Sequence, residues 1–254
     1  MSKSLDGNVA VVTGGTQGIG FAIAEAFVEQ GATVVLTGRD QGRLDEAVAK
    51  LGPKASGVRA DAASPRATDA LLKDVKARYG RLDTVVANAV VDDHAPLARI
   101  TEQQFDRMIG TNLKGVLFAV QSAMPLMSSG GAIILIGSTA SVAPPPGMSI
   151  YSAIKAGFHG MVRAMIQDLK GTGVRINILS PGAVDTPSLR RALGKAAGAE
   201  KVDEIVRSMA QKSPLGRIGE AREIGKVAVF LASDASSYVN GIELFADGGL
   251  TQVA

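Results

Sequence analysis

The stretch VAVVTGGTQGIGFAIAEAFVEQ, residues 9–30, changes structural period across a single glycine-rich turn. Residues 9–13 form a short, mostly β-branched run that reads as a strand, and the apolar positions of residues 21–30 recur at helical spacing. Between them lie Gly14, Gly15, Thr16, Gln17, Gly18, Ile19 and Gly20. A strand that passes through glycines into a helix presents bare backbone N–H groups and the positive end of the helix dipole at one spot, where a pyrophosphate can sit. Gly14, Thr16, Gln17, Gly18, Ile19 and Gly20 are therefore candidate cofactor contacts. Their spacing, G-x-x-x-G-x-G, differs from the dinucleotide fingerprint G-x-G-x-x-G, although the physical task is the same.

Outward from this turn, strand and helix signals alternate. Strand-like runs at 33–37, 56–60, 82–87, 132–136, 174–179 and 241–245 are separated by helical periodicity at 41–51, 64–79, 101–125, a long segment carrying Tyr151 and Lys155, and 220–233. Ser64 followed by Pro65 is a helix start, and Gly52-Pro53 a helix stop. No linker, low-complexity tract or repeat divides the chain. The order predicts one domain, 1–254, of the α/β class: a Rossmann-type doubly wound parallel sheet of about seven strands with helices on both faces. Helix 101–125 is interrupted near Asn112, whose amide is costly to bury unpaired. Either it caps a local irregularity or it holds a water beside the lysine described below.

Composition narrows the function classes. The chain has no cysteine, which excludes disulfides and thiolate metal sites. Its net charge of +3 is spread among acids and its aromatic content is low, so nucleic-acid binding is not expected. The opening MSKSLDGNVAVV has too short an apolar run for a signal sequence, and no uninterrupted apolar stretch is long enough for a membrane span. A soluble cytoplasmic protein is the expectation.

In a dinucleotide fold the end of the second strand meets the adenosine ribose, and a carboxylate there selects NAD. Here the residues are Thr37, Gly38, Arg39 and Asp40. Arg39 can pair with a 2′-phosphate, so NADPH is expected, with NAD left possible through Asp40. Further on, Tyr151 and Lys155 leave one helix face a turn apart, and Ser138 sits at the end of strand 132–136. A nearby ammonium favours the phenolate, so Lys155 is expected to bring Tyr151 towards working pH as an acid or base. The Ser138 hydroxyl can donate to a carbonyl oxygen. His94 is expected to face solvent rather than substrate, and His159 to serve packing or a subunit interface.

These motifs resemble those of the short-chain dehydrogenase/reductases over essentially the whole chain, from T-G-x-x-x-G-x-G at Thr13 to Gly20, through Asn112, Ser138 and Y-x-x-x-K at Tyr151 and Lys155, to Pro181-Gly182. The resemblance implies that Tyr151 is the acid/base, that Lys155 lowers its pKa and holds the nicotinamide ribose, that Ser138 binds the substrate oxygen and that Asn112 supports a proton relay through water. It also implies that Asp61 and Ala62 line the adenine, that Asn88 braces the cofactor region, and that the backbones of Pro181, Gly182 and Val184 and the Thr186 hydroxyl meet the carboxamide. A homotetramer is the family's usual assembly. Three positions depart from the family pattern: its N-N-A-G stands here as Ala87, Asn88, Ala89 and Val90, with valine in place of the glycine, and Gln17 stands where NADPH-preferring relatives often carry a basic residue or serine.

The expected activity is an NADPH-dependent reduction of a small-molecule ketone or aldehyde. Ala143, Pro144, Pro145, Pro146, Met148 and Ile150, with Leu189 and Leu193, form an apolar lip that suits a hydrophobic substrate, and 188–214 reads either as a substrate lid or as a surface helical hairpin. The alternatives are a 3-oxoacyl-carrier-protein reductase, with Arg190 and Arg191 as weak docking candidates, an NAD-dependent alcohol dehydrogenase, and a non-catalytic cofactor sensor.

Overall fold

The computed structural model describes residues 3–253. Its strands are β1 Val9–Val12, β2 Thr33–Gly38, β3 Ala55–Arg59, β4 Leu82–Ala87, β5 Met127–Ile136, β6 Arg175–Pro181, β7 Val184–Asp185, β8 Gly219–Glu220 and β9 Glu243–Ala246. Seven of them form one sheet in the order β3-β2-β1-β4-β5-β6-β9, with every neighbouring pair parallel. β7 and β8 pair with each other alone. The helices are α1 Gly18–Glu29, α2 Gln41–Leu51, α3 Pro65–Tyr79, α4 Glu102–Ile109, α5 Gly115–Ala123, α6 Ser149–Asp168, α7 Pro187–Ala197, α8 Val202–Lys212, α9 Ala221–Ala232 and the short α10 Leu250–Val253.

A parallel sheet covered on both faces needs apolar side chains at successive positions, each facing the opposite way from the last. Ala10 and Val12 of β1, Val34 and Leu36 of β2, and Ile134 and Ile136 of β5 pack with Ile23 and Phe27 of α1, Leu44 of α2, and Ile224 and Leu231 of α9. Their neighbours in sequence point the other way. Val9, Val11 and Val35 meet Leu71, Leu72 and Val75 of α3, while Ile133, Leu135 and Ile176 meet Val116 and Val120 of α5 and Ile154 and Phe158 of α6. Strand order reverses between β1 and β4, and ligands of open α/β sheets sit outside the carboxyl ends of the strands at such a point.

Two local features refine the sequence expectation. β5 is longer than the run 132–136 because Leu82 pairs with Met127 while Thr84 pairs with Ala132, so the strand bulges where Gly130 adopts φ 90°. The interruption near Asn112 is a π-turn over Gly110–Lys114 that joins α4 to α5 without ending the helix. A Cβ at Gly115 would lie 2.4 Å from the Ala62 carbonyl oxygen, so only glycine lets this helix approach the loop after β3. No helix among the described residues is long and apolar enough to cross a membrane.

Candidate active site

The turn after β1 is closed tightly. Gly14 adopts φ 65°, a Cβ there would lie 2.9 Å from the Ala89 Cα, and one at Gly20 would lie 2.5 Å from the Gly14 carbonyl oxygen. Asn88, just beyond β4, donates its side-chain amide to the carbonyls of Thr13 at 2.9 Å and Gly14 at 3.1 Å, and its backbone N–H to Thr13 Oγ1 at 2.9 Å. The loop after β4 is thereby stitched to the glycine turn. Asn112 holds the same loop from the other side: fully buried, it accepts from the Val91 N–H and donates to the Val91 carbonyl, both at 2.8 Å. Neither sequence alternative for Asn112 describes this pairing, which spends its side chain on a loop.

One cavity of about 390 Å³ runs along the carboxyl ends of the strands. Its wall begins at the glycine turn, with Gly14, Thr16, Gln17, Gly18, Ile19 and Gly20, and passes Arg39 after β2 and Asp61 and Ala62 after β3. It continues past Asn88 and ends at Ser138, Tyr151 and Lys155, with Pro181, Gly182 and Thr186 closing the far side. Two expected site residues do not line it: Asn112, and Val184, which is buried within β7 among core residues. Val90 does line it, half exposed and with an ordinary negative φ, so valine introduces no backbone strain there. Size, glycine cradle and α1 N-terminus together fit a nicotinamide dinucleotide.

At the ribose-selecting corner Asp40 borders the cavity but gives one carboxylate oxygen to a helix end. It is the N-cap of α2, accepting from the Arg43 N–H at 3.1 Å. Arg39 and Arg43 both border the cavity. Arg43 was not legible as a site residue, because its position follows from how α2 leaves β2.

At the reactive end, Lys155 is 5 % exposed and donates to the Ile136 carbonyl at 2.6 Å, with its ammonium 4.8 Å from the Phe158 ring centroid. Burial lowers its pKa to about 7, against a partial opposing pull from Asp92. The Tyr151 phenol is pushed up to about 12, first by burial and then by the Asp92 charge, while the nearby Ser138 hydroxyl acts the other way. This corrects the expectation that Lys155 brings Tyr151 towards working pH: around neutrality desolvation dominates and the phenol keeps its proton. His94 is a second correction. Its ring lies edge-on to Tyr151, centroids 5.4 Å apart, and its Nε2 pairs with Asp92. No periodicity in the loop after β4 signals that placement.

The segment 188–214 folds as α7 and α8, neither of which contains a buried residue. Thr186 caps α7 by accepting from the Leu189 N–H at 3.2 Å. Arg191 of α7 donates to Gln17 Oε1 and Ser188 Oγ, each at 3.1 Å, tying this helix to the glycine turn. Arg190 is committed to Asp185 and Asp203.

Residues 14–251 match a family model described as enoyl-(acyl carrier protein) reductase. A solved short-chain dehydrogenase/reductase (glucose/ribitol dehydrogenase) from Brucella melitensis superposes with a TM-score of 0.90 at 30 % identity, covering 98 % of this chain and 99 % of that one. This chain belongs to the short-chain dehydrogenase/reductase family. Another member of known structure, from Serratia marcescens, superposes with a TM-score of 0.89 at 30 % identity over 98 % of this chain and 99 % of that one. Among curated relatives of this short-chain dehydrogenase/reductase, oxidoreductase asL5 of Sarocladium schorii is 43 % identical over 99 % of this chain and 98 % of its own length. A 3-oxoacyl-[acyl-carrier-protein] reductase FabG of Thermotoga maritima is 35 % identical over 97 % of this chain and 98 % of its own. The family establishes an oxidoreductase of the nicotinamide-dinucleotide type.

Proposed function

We propose that this oxidoreductase reduces a hydrophobic ketone or aldehyde to an alcohol with NADPH. The observation that carries the reading is the meeting of Ser138, Tyr151 and Lys155 at one end of a dinucleotide-sized cavity whose opposite corner holds two arginines. Bound NADPH supplies the hydride. Tyr151 holds the proton that goes to the substrate oxygen, since a group with its pKa near 12 is the acid form at neutral pH. Ser138, which shares the cavity wall with that phenol, orients the carbonyl oxygen. Lys155 holds the nicotinamide ribose, and the glycine turn with the α1 N-terminus takes the pyrophosphate. Asp61 and Ala62 flank the adenine. The backbones of Pro181 and Gly182, with Thr186, meet the carboxamide. Asn112 acts by fixing Val91, and α7, whose Ser188 borders the cavity and whose Arg191 reaches the glycine turn, serves with α8 as the lid.

NADPH is favoured over NADH because Arg39 and Arg43 bring two positive charges to a corner where Asp40, also in the cavity wall, gives one carboxylate oxygen to the α2 cap. Titration of both dinucleotides is the test: Arg39→Ala should weaken NADPH by about tenfold or more, a charge-assisted contact of 1.5–3 kcal/mol, and leave NADH nearly unchanged. Equal affinity for both in the unsubstituted protein defeats the preference. The likeness to a 3-oxoacyl-[acyl-carrier-protein] reductase supplies the second reading, but Arg190, one of two candidate docking cations, is neutralised by Asp185 and Asp203. Turnover of a carrier-bound 3-oxoacyl chain at least tenfold faster than of the free ketone would restore it. Half-exposed Phe105, Leu117 and Met124 on the α4–α5 side support a homotetramer, which light scattering tests.

A further inference from the structure

Glu243 opens β9, and its side chain is only 2 % exposed. An ionised carboxylate is acceptor-only, and burying one costs several kcal/mol unless donors surround it. Here three side chains do so. Oε1 accepts from Ser141 Oγ at 2.9 Å and from Ser180 Oγ, and Oε2 meets His159 Nε2 at 2.5 Å. Each donor belongs to a different part of the reactive end. Ser141 closes the turn that begins at Ser138. Ser180 precedes Pro181 and Gly182 in the cavity wall, and His159 is one turn beyond Lys155 on α6. A second bond fastens the same turn to α6, from Ser152 Oγ to the Ala140 carbonyl at 2.7 Å. An edge strand such as β9 needs no buried charge for its own stability, since an apolar residue would fill the place.

We propose that Glu243 is a positioning residue for hydride transfer, a carboxylate clamp that fixes the Ser138 turn, the Pro181–Gly182 loop and the catalytic helix relative to one another. The proposal rests on the oxidoreductase reading of this site. The clamp acts where the nicotinamide half of the cofactor would lie and is remote from the glycine turn. Glutamine keeps one acceptor oxygen for the two serines and presents its NH₂ to a neutral His159, so it should preserve the geometry. Valine, suited to a strand, fills the place without any polar contact.

The experiment compares Glu243→Val and Glu243→Gln with the unsubstituted full chain by calorimetric titration of NADPH and of adenosine 2′,5′-bisphosphate, which lacks both the nicotinamide and its ribose. Glu243→Val should weaken NADPH roughly tenfold while changing the fragment less than about twofold, a separation of at least about fivefold. With a ketone substrate its kcat should fall by about 10²-fold, as expected when reacting groups are misplaced by about an ångström, with KM changed little and the primary deuterium isotope effect raised. Glu243→Gln should restore both readouts to within a few-fold. The clamp is overturned if Glu243→Val binds NADPH and turns over as the parent does, or if both ligands weaken together with a lower Tm and no rescue by glutamine. Failure of the unsubstituted protein to bind any nicotinamide dinucleotide overturns the oxidoreductase reading and the clamp with it.

Discussion

Two buried charges at opposite ends of the central sheet, Asp83 and Lys155, are treated in opposite ways. At the amino end, the Asp83 side chain is 8 % exposed and fully served: Arg81 pairs with it, the Val9 N–H donates at 2.9 Å, and Ser128 Oγ donates at 3.2 Å. That carboxylate joins β1, β4 and the start of β5. At the carboxyl end, Lys155 is at least as deeply buried but donates to a single carbonyl, and its pKa falls to about 7. A saturated charge fastens the fold, whereas an under-satisfied one is a standing cost that a ligand relieves.

This contrast can be broken at several points. The largest effect should be on chemistry: Tyr151→Phe should lower kcat by about 10²–10⁴-fold, the usual worth of a positioned proton donor, while Asp83→Ala leaves turnover per folded molecule unchanged. Next, Asp83→Ala should cost about 3–5 kcal/mol in urea unfolding, as expected when one partner of a buried ion pair is removed. Lys155→Met should do the reverse and stabilise at pH 7 by about 1–4 kcal/mol. The sign follows from linkage. Between about 7 and the ordinary lysine value of 10.5, the unfolded chain carries a proton that the native state has lost, so stability rises with pH in that window. The cost is fully felt below it, and Lys155→Met should abolish the rise, which unfolding midpoints at both ends of the window would show. Asp92→Asn should lower the Tyr151 pKa, because the lost negative charge was raising it. The tyrosinate absorbance that Tyr151→Phe removes would then appear at lower pH. Smallest, Arg191→Ala should weaken dinucleotide binding no more than a few-fold, since the residue reaches the glycine turn only through Gln17 and Ser188.

What the sequence disclosed follows the same division. Alternating strands, the glycine turn and the positions of Ser138, Tyr151 and Lys155 were legible because each is carried by local periodicity or by short spacing on one element. Asp40's use as a helix cap, His94's turn onto Tyr151 and the Glu243 cluster were not. In the last two the decisive partner is remote in sequence: Glu243 meets Ser141 from 102 positions away. The direction of the Tyr151 shift was also hidden, because a Tyr–Lys spacing reports proximity of charge and not the desolvation that outweighs it.

The π-turn between α4 and α5 makes the site depend on counting as well as on chemistry. An α-helix advances about 100° per residue, so one residue accommodated as a wider turn sets the angular phase of everything after it. Gln104 and Met108 are buried before the turn, and Val116, Ala119, Val120 and Ala123 after it. Winding the same five residues, Gly110–Lys114, as a regular α-helix would rotate the second half by roughly a quarter turn and carry Asn112 off Val91, even with every side chain kept.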